Sequence, residues 1–124
     1  IIILATDLPL SSRQLGRLAR RVPAGLGRVG SIISHGSGDF VLAFSTAHRR
    51  SRAPGDICYE ERKLFREDHL SIDKIFQAVV EATEEAVINS LFLATTVTGR
   101  DNHRREALPP DEVLGILARY GVED

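Results

Sequence analysis

The chain contains no methionine and no tryptophan, a single cysteine, Cys58, and only two tyrosines and five phenylalanines. One cysteine excludes an internal disulfide framework and any metal site built on several thiolates. The four histidines, His35, His48, His69 and His103, show no metal-ligand spacing with carboxylates or with Cys58. A metal site is therefore not expected, and Cys58 reads as a small packed hydrophobe. No apolar run approaches the ~20 residues that a membrane helix needs, so no membrane partner is expected. The formal net charge is -1, far from the basic balance of a dedicated nucleic-acid binder. The missing methionine bears on processing. The chain opens Ile1-Ile2-Ile3-Leu4, and removal of an initiator methionine needs a small second residue, which isoleucine is not. The sequence thus predicts a fragment of a longer product. No signal peptide or basic leader is visible, and the compartment, cytoplasmic or periplasmic, stays open.

What is present is ordinary globular material: 124 residues, 43% hydrophobic and 27% charged, enough for one domain or a piece of one. Residues 1–124 are read as a single domain fragment. Charge is unevenly spread. Between Ser11 and Arg52 stand Arg13, Arg17, Arg20, Arg21, Arg28, Arg49, Arg50 and Arg52 against the lone acid Asp39, and the later half is acidic. A phosphate-binding patch and an ordinary set of solvated, ion-paired helix faces both fit this pattern. The second is favoured, because no aromatics interleave with the arginines.

Ile1 to Thr6 is a continuous β-branched run and predicts a buried strand, ended by Asp7 and Pro9. Ser11 or Ser12 then caps a helix with an apolar stripe at Leu15, Leu18, Ala19 and Val22. Pro23 and Gly25 predict a kink or an end. Gly30 to His35 and Phe40 to Thr46 are the next strand candidates, and the segment from Arg49 to Asp56 reads as a loop. Ser71 is expected to cap the longest helix, whose stripe runs Ile72, Ile75, Phe76, Val79, Val80, Thr83, Ala86, Val87 and Leu91. So wide a stripe predicts packing against a sheet. Thr95 to Gly99 end that helix, Arg100 to Arg105 read as polar loop, and Pro109-Pro110-Asp111-Glu112 opens a last helix that stops at Gly121. The class is α+β.

Chemistry concentrates in His35-Gly36-Ser37-Gly38-Asp39. Gly36 and Gly38 could suggest a phosphate loop, but no helix follows them, as phosphate binding at a helix N-terminus requires. In an extended segment, residues two apart project to one face, which sets the Ser37 hydroxyl beside the Asp39 carboxylate. Such a pair can orient or relay a proton for a third group. The flanking glycines remove bulk and let a substrate or another chain come close. A local turn in which both side chains satisfy backbone amides is the plainer alternative.

Three segments in order, Ile1 to Leu10, His35 to Thr46, and Glu84 to Asp101, resemble the DmpA-type family of L-aminopeptidase/D-esterases and β-peptidyl aminopeptidases. The resemblance runs over nearly the whole chain. It implies that the chain is the small subunit of a precursor that cleaves itself at a Gly-Ser bond. It also implies a nucleophilic serine one or two residues before Ile1. Ser37 and Asp39 match the family's Ser-Gly-Glu/Asp motif, here with the shorter acid, and are implied to hydrogen-bond that nucleophile and assist its proton transfer. The implied reaction is release of N-terminal residues from peptides, amides or esters through an acyl-enzyme, with no metal or organic cofactor needed and with the choice among α-L, D and β residues left open. The implied fold is a four-layer αββα sandwich completed by a large subunit, in an assembly of several αβ heterodimers. Two alternatives stay open: an ornithine-acetyltransferase-like self-processing acyltransferase with a threonine nucleophile, and a non-enzymatic binding domain using the arginine-rich helix face.

Overall fold

The computed structural model describes residues 1–49, 59 and 61–122. The expected loop at Arg49 to Asp56, apart from Arg49 itself, and the expected packing of Cys58 lie outside the described residues. The chain divides into two compact units, Ile1–Glu84 and Glu85–Asp124.

In the first unit, β1 (Ile2–Thr6) leads through α1 (Ser12–Ala19) and α2 (Val22–Arg28) to β2 (Val41–Ser45). The two strands pair in parallel, with Ile2 level with Val41 and Thr6 level with Ser45. Parallel neighbours need a crossover, and the two helices provide it. Ser11 caps α1 through a full capping box: its hydroxyl accepts from the Gln14 amide, and the Gln14 side chain accepts from the Ser11 amide. Gln14 is buried and also donates to the Phe65 carbonyl at 2.7 Å.

The helix breaks near Pro23, as expected, with the break falling just ahead of it. α1 stops at Ala19, and Pro23 sits in the first turn of α2, where its missing N–H costs nothing. The strand expected over Gly30 to His35 is absent. Gly30, at φ 88°, closes α2. Its amide donates to the Gly27 carbonyl, and the Ser31 amide reaches back to Leu26. This is the paired bonding of a glycine-terminated helix. Ile33 at φ 47° then breaks any extended run.

α3 (Ser71–Phe92) starts at Ser71 rather than after it. The Ser71 hydroxyl pairs with Nδ1 of His69 at 2.7 Å. Leu10, Leu18, Val22, Ile72, Phe76 and Val79 form the buried core, with Ile2, Leu4, Leu15, Leu26, Val41, Phe65 and Ile75 packed around it. Fully burying such side chains stabilises by about 1.5–3 kcal/mol each. α3 thus reaches the sheet through a shared core, and it also lies directly on α2, where a Cβ on Gly25 would stand 2.6 Å from Thr83 Cβ. Only its N-terminal half is buried this way, since Leu91 is exposed.

The continuous apolar run of β1 predicts a buried strand. One face meets the helices. The other remains open in this chain: Ile3 is 65% exposed, Leu42 61% and Phe44 42%.

The second unit holds β3 (Val97–Thr98) antiparallel to β4 (Arg104–Arg105) and then α4 (Pro110–Arg119). The segment expected to be only polar loop is therefore a short hairpin. Asp101 and Asn102 turn it at φ 56° and 60°, a conformation their short polar side chains tolerate. α4 begins and ends as expected, with Gly121 at φ 71°.

Candidate active site

The site is built at the entrance to β2. The Ser37 amide donates to the Ser34 carbonyl at 2.8 Å, a tight turn through His35 and Gly36. The chain then runs through Gly38 and Asp39 into Phe40, whose carbonyl accepts from the Ile2 amide at 2.8 Å. The N-terminal end of β1 is thereby fastened to the residue that follows Asp39.

Ser37 and Asp39 precede β2 rather than lying in a strand, so the regular alternation assumed for them does not apply. They still meet. The Ser37 hydroxyl donates to the Asp39 carboxylate at 2.9 Å, in an exposed position. The side chains therefore bond to each other, whereas the alternative of a purely local turn had both occupied by backbone amides. A serine oxygen that donates to a carboxylate keeps lone pairs free to accept. A third hydroxyl next to it could pass a proton to Ser37 as Ser37 leans on Asp39. That is the arrangement general-base activation of an alcohol requires.

The arginine-rich face is largely engaged within the chain. Arg13 and Arg17 both bind Glu67, and Arg28 reaches Glu84 at 3.0 Å. Arg17 and Arg21 stack over the Phe76 ring at 5.0 and 4.2 Å from its centre. The Arg13 hydrogen bond holds the Glu67 carboxyl below its usual range, with the charges of Arg13 and Arg17 adding to it. Cations committed to carboxylates and a ring make a poor phosphate-binding face, which counts against the binding-domain alternative. Among the described residues, no group of three or more His, Cys, Asp or Glu side chains could hold a metal ion. No described helix is long and apolar enough to cross a membrane.

Sequence reasoning did not find the Ile2–Phe40 contact. Nothing local signals which strand β1 pairs with, or in what register, although the contact fixes what lies beside Ser37 and Asp39.

Comparison with known proteins bears on the same region. The family model for peptidase family S58 matches residues 1–105. The β-peptidyl aminopeptidase BapA of Sphingosinicella microcystinivorans is 41% identical over 120 residues, covering 97% of this chain and 30% of that protein. Among solved structures, the PH0078 protein from Pyrococcus horikoshii OT3 is 48% identical with a TM-score of 0.81, over 97% of this chain and 33% of its own. The L-aminopeptidase D-Ala-esterase/amidase from Ochrobactrum anthropi is 35% identical with a TM-score of 0.83, over the same shares, and is described as a variant of the Ntn hydrolase fold. The chain thus spans about a third of the length of these relatives.

Proposed function

Because the chain belongs to peptidase family S58, we propose that it is the small subunit of a serine-type, self-processing aminopeptidase, carrying Ser37 and Asp39 as the proton-handling pair. The carrying observation is where that pair lies. Ile2 is level with Val41 in a parallel ladder, and the Ile2 amide binds Phe40. Continued upstream from that bond, the residue before Ile1 would lie level with Asp39, which supports a serine there reaching the Ser37–Asp39 hydrogen bond.

In this reading the upstream serine is the chain's N-terminal nucleophile, freed by self-cleavage. Its Oγ attacks the amide or ester carbonyl next to a free N-terminal residue. The hydroxyl proton goes to its own α-amine or through Ser37 towards Asp39, and then to the departing amine or alcohol. An acyl-enzyme remains. Water attacks the acyl carbon, the bond to Oγ breaks, and water's proton returns along the same route to Oγ, which regenerates the serine and releases the free acid. Substrates are peptides, amides or esters with a free amino end.

The remaining two-thirds of such a polypeptide is the natural cover for the open face of β1 and β2. Two sheets packed face to face sit ~10 Å apart over interdigitated side chains, which suits Ile3, Leu42 and Phe44. This gives the large subunit its contact and the four-layer sandwich its second sheet, with αβ heterodimers associating further. The acyltransferase alternative is not favoured by the relatives from Sphingosinicella microcystinivorans and Ochrobactrum anthropi, which are aminopeptidases by name.

Ser37→Ala and Asp39→Asn, made in the full polypeptide, test the assignment. Positioned proton transfer contributes about 10²–10⁴-fold. Each variant should slow self-cleavage or hydrolysis of an aminoacyl p-nitroanilide within that range while keeping the native circular dichroism spectrum. Maturation and turnover at the unaltered rate would remove the pair from the mechanism.

A further inference from the structure

β1 has a second edge that its own chain leaves open. The Ile2 amide binds the Phe40 carbonyl, and the Thr6 carbonyl accepts from the Thr46 amide at 2.9 Å. Along a strand, the residues that bond one neighbour alternate with those that point to the other side. Ile2, Leu4 and Thr6 therefore face β2, and the amides and carbonyls of Ile3 and Ala5 point away from it. Among the described residues, β2 is the one strand paired with β1. Strands that end a sheet are guarded by charge, proline or a bulge. Ile1 to Thr6 carries no charged side chain and no proline, and its pairing with β2 is regular. This is the make-up of an interior strand.

A groove of about 350 Å³ lies along the open edge, lined by Leu4, Ala5 and Thr6 in succession. Successive strand residues point to opposite faces, so three in a row make the backbone edge itself the wall. Among the described residues, the lining includes none from β2. α3 supplies the opposite wall with Ile75, Ala78 and Ala82, and both alanines are exposed. A small-molecule site adds convergent polar groups. Here the polar side chains are those of Thr6 and Lys74, and the Thr6 hydroxyl already accepts from the Leu8 amide. A strand laid against β1 runs ~4.8 Å to its side, which falls within this groove.

We infer that the edge of β1 opposite β2 takes an apolar strand from the remaining two-thirds of the polypeptide, bonded to the Ile3 and Ala5 backbone and seated on Ala78 and Ala82. The relatives are about three times as long as this chain, so the occupant is at hand. Ile3 also lies on the open sheet face that the same partner covers, which makes the two contacts continuous. The inference rests on the proposed reading for its large partner subunit and goes beyond it. One sheet then continues across the subunit boundary, and the strand that leads from the nucleophile is held along both edges.

The test uses the protein expressed from its full reading frame. Hydrogen exchange is resolved to single amides by mass spectrometry, and p-benzoylphenylalanine replaces the exposed Lys74 that borders the groove. Ile3 and Ala5 should exchange within about tenfold of Leu4 and Thr6, as members of one cooperative unit. Photolysis should join position 74 to an apolar peptide of the larger subunit. Faster exchange at Ile3 and Ala5, the behaviour of amides that need no opening of the fold, overturns the inference. A crosslink confined to this chain, one joining two copies of it, or none at all does the same. A protein that cleaves itself and hydrolyses aminoacyl p-nitroanilides yet exchanges fast at Ile3 and Ala5 refutes the added strand alone. A protein that does neither refutes the aminopeptidase reading, and exchange and crosslink still decide the strand.

Discussion

Replacing Gly25 by alanine sets two opposing effects against each other. Alanine is the better helix former by about 1 kcal/mol, so an exposed helical glycine normally gains stability from the change. At Gly25 the new Cβ would lie 2.6 Å from Thr83 Cβ, 2.7 Å from the Val80 carbonyl oxygen and 3.0 Å from Thr83 Cγ2. Carbon atoms pack best at about 3.5–4.0 Å, so an opening of roughly 1 Å is required. The two nearest atoms belong to the α3 backbone or are bonded directly to it, and no rotamer change moves them. Relief must come from separating α2 and α3. Overpacking of this kind costs about 1–3 kcal/mol, occasionally more, and the backbone contact puts Gly25 at the upper end. After the propensity gain, a net loss of about 2 kcal/mol is expected. Urea unfolding of the full polypeptide, followed by circular dichroism, measures it. Thr83→Ala should not rescue the variant, because it removes only the third contact. A Gly25→Ala midpoint equal to or above the parent's would show that α2 and α3 do not pack as described.

Three further outcomes follow from the same packing. Phe76→Leu removes the ring under Arg17 and Arg21, and a double-mutant cycle with Arg21→Met should show a coupling of about 0.5–1 kcal/mol; a coupling of zero refutes the contact. Ser11→Ala breaks the capping box of α1 and should cost about 1 kcal/mol in unfolding free energy; an unchanged midpoint would mean the cap is not formed. Glu67 has a carboxyl held low by Arg13, so its pairing stabilises above the ordinary carboxylate range and fades as pH falls through the lower folded value. The stability difference between the parent and Glu67→Gln should therefore be larger at neutral pH than in acid, and a difference that widens on acidification would contradict the pairing.

Much of the fold was legible because its signals are local. Ser11 with Gln14 marks a capping box, the run from Ile2 to Thr6 can hardly be anything but a strand, and Pro109 to Gly121 carries both helix boundaries. Glycine and proline are harder to read. Gly30 to Ile33 looks strand-like by composition, yet Gly30 is committed to closing α2, and the competing signal of a glycine just past a helix went unweighed. Pro23 announces a break without saying on which side of it the break falls, and here it lies in the first turn of α2 rather than at the end of α1. The pairing of Ser37 with Asp39 could be anticipated from their spacing, even though the strand invoked for it begins only at Val41. The position of that pair beside the entry to β1 could not be anticipated, because strand partner and register are set by contacts nearly forty residues apart. The open face of β1 and β2 was hidden for a related reason. A continuous apolar run announces burial without saying which chain provides it.

The proposed mechanism requires a serine nucleophile, freed by self-cleavage, just ahead of Ile1 beside Ser37 and Asp39. The most direct test is the intact denatured mass of the protein expressed from its full reading frame, with N-terminal sequencing of every chain present. Two chains are expected, the smaller beginning with serine one or two residues before Ile1. A single uncleaved chain that is folded and hydrolyses aminoacyl p-nitroanilides would contradict the mechanism, as would a small chain whose first residue is threonine.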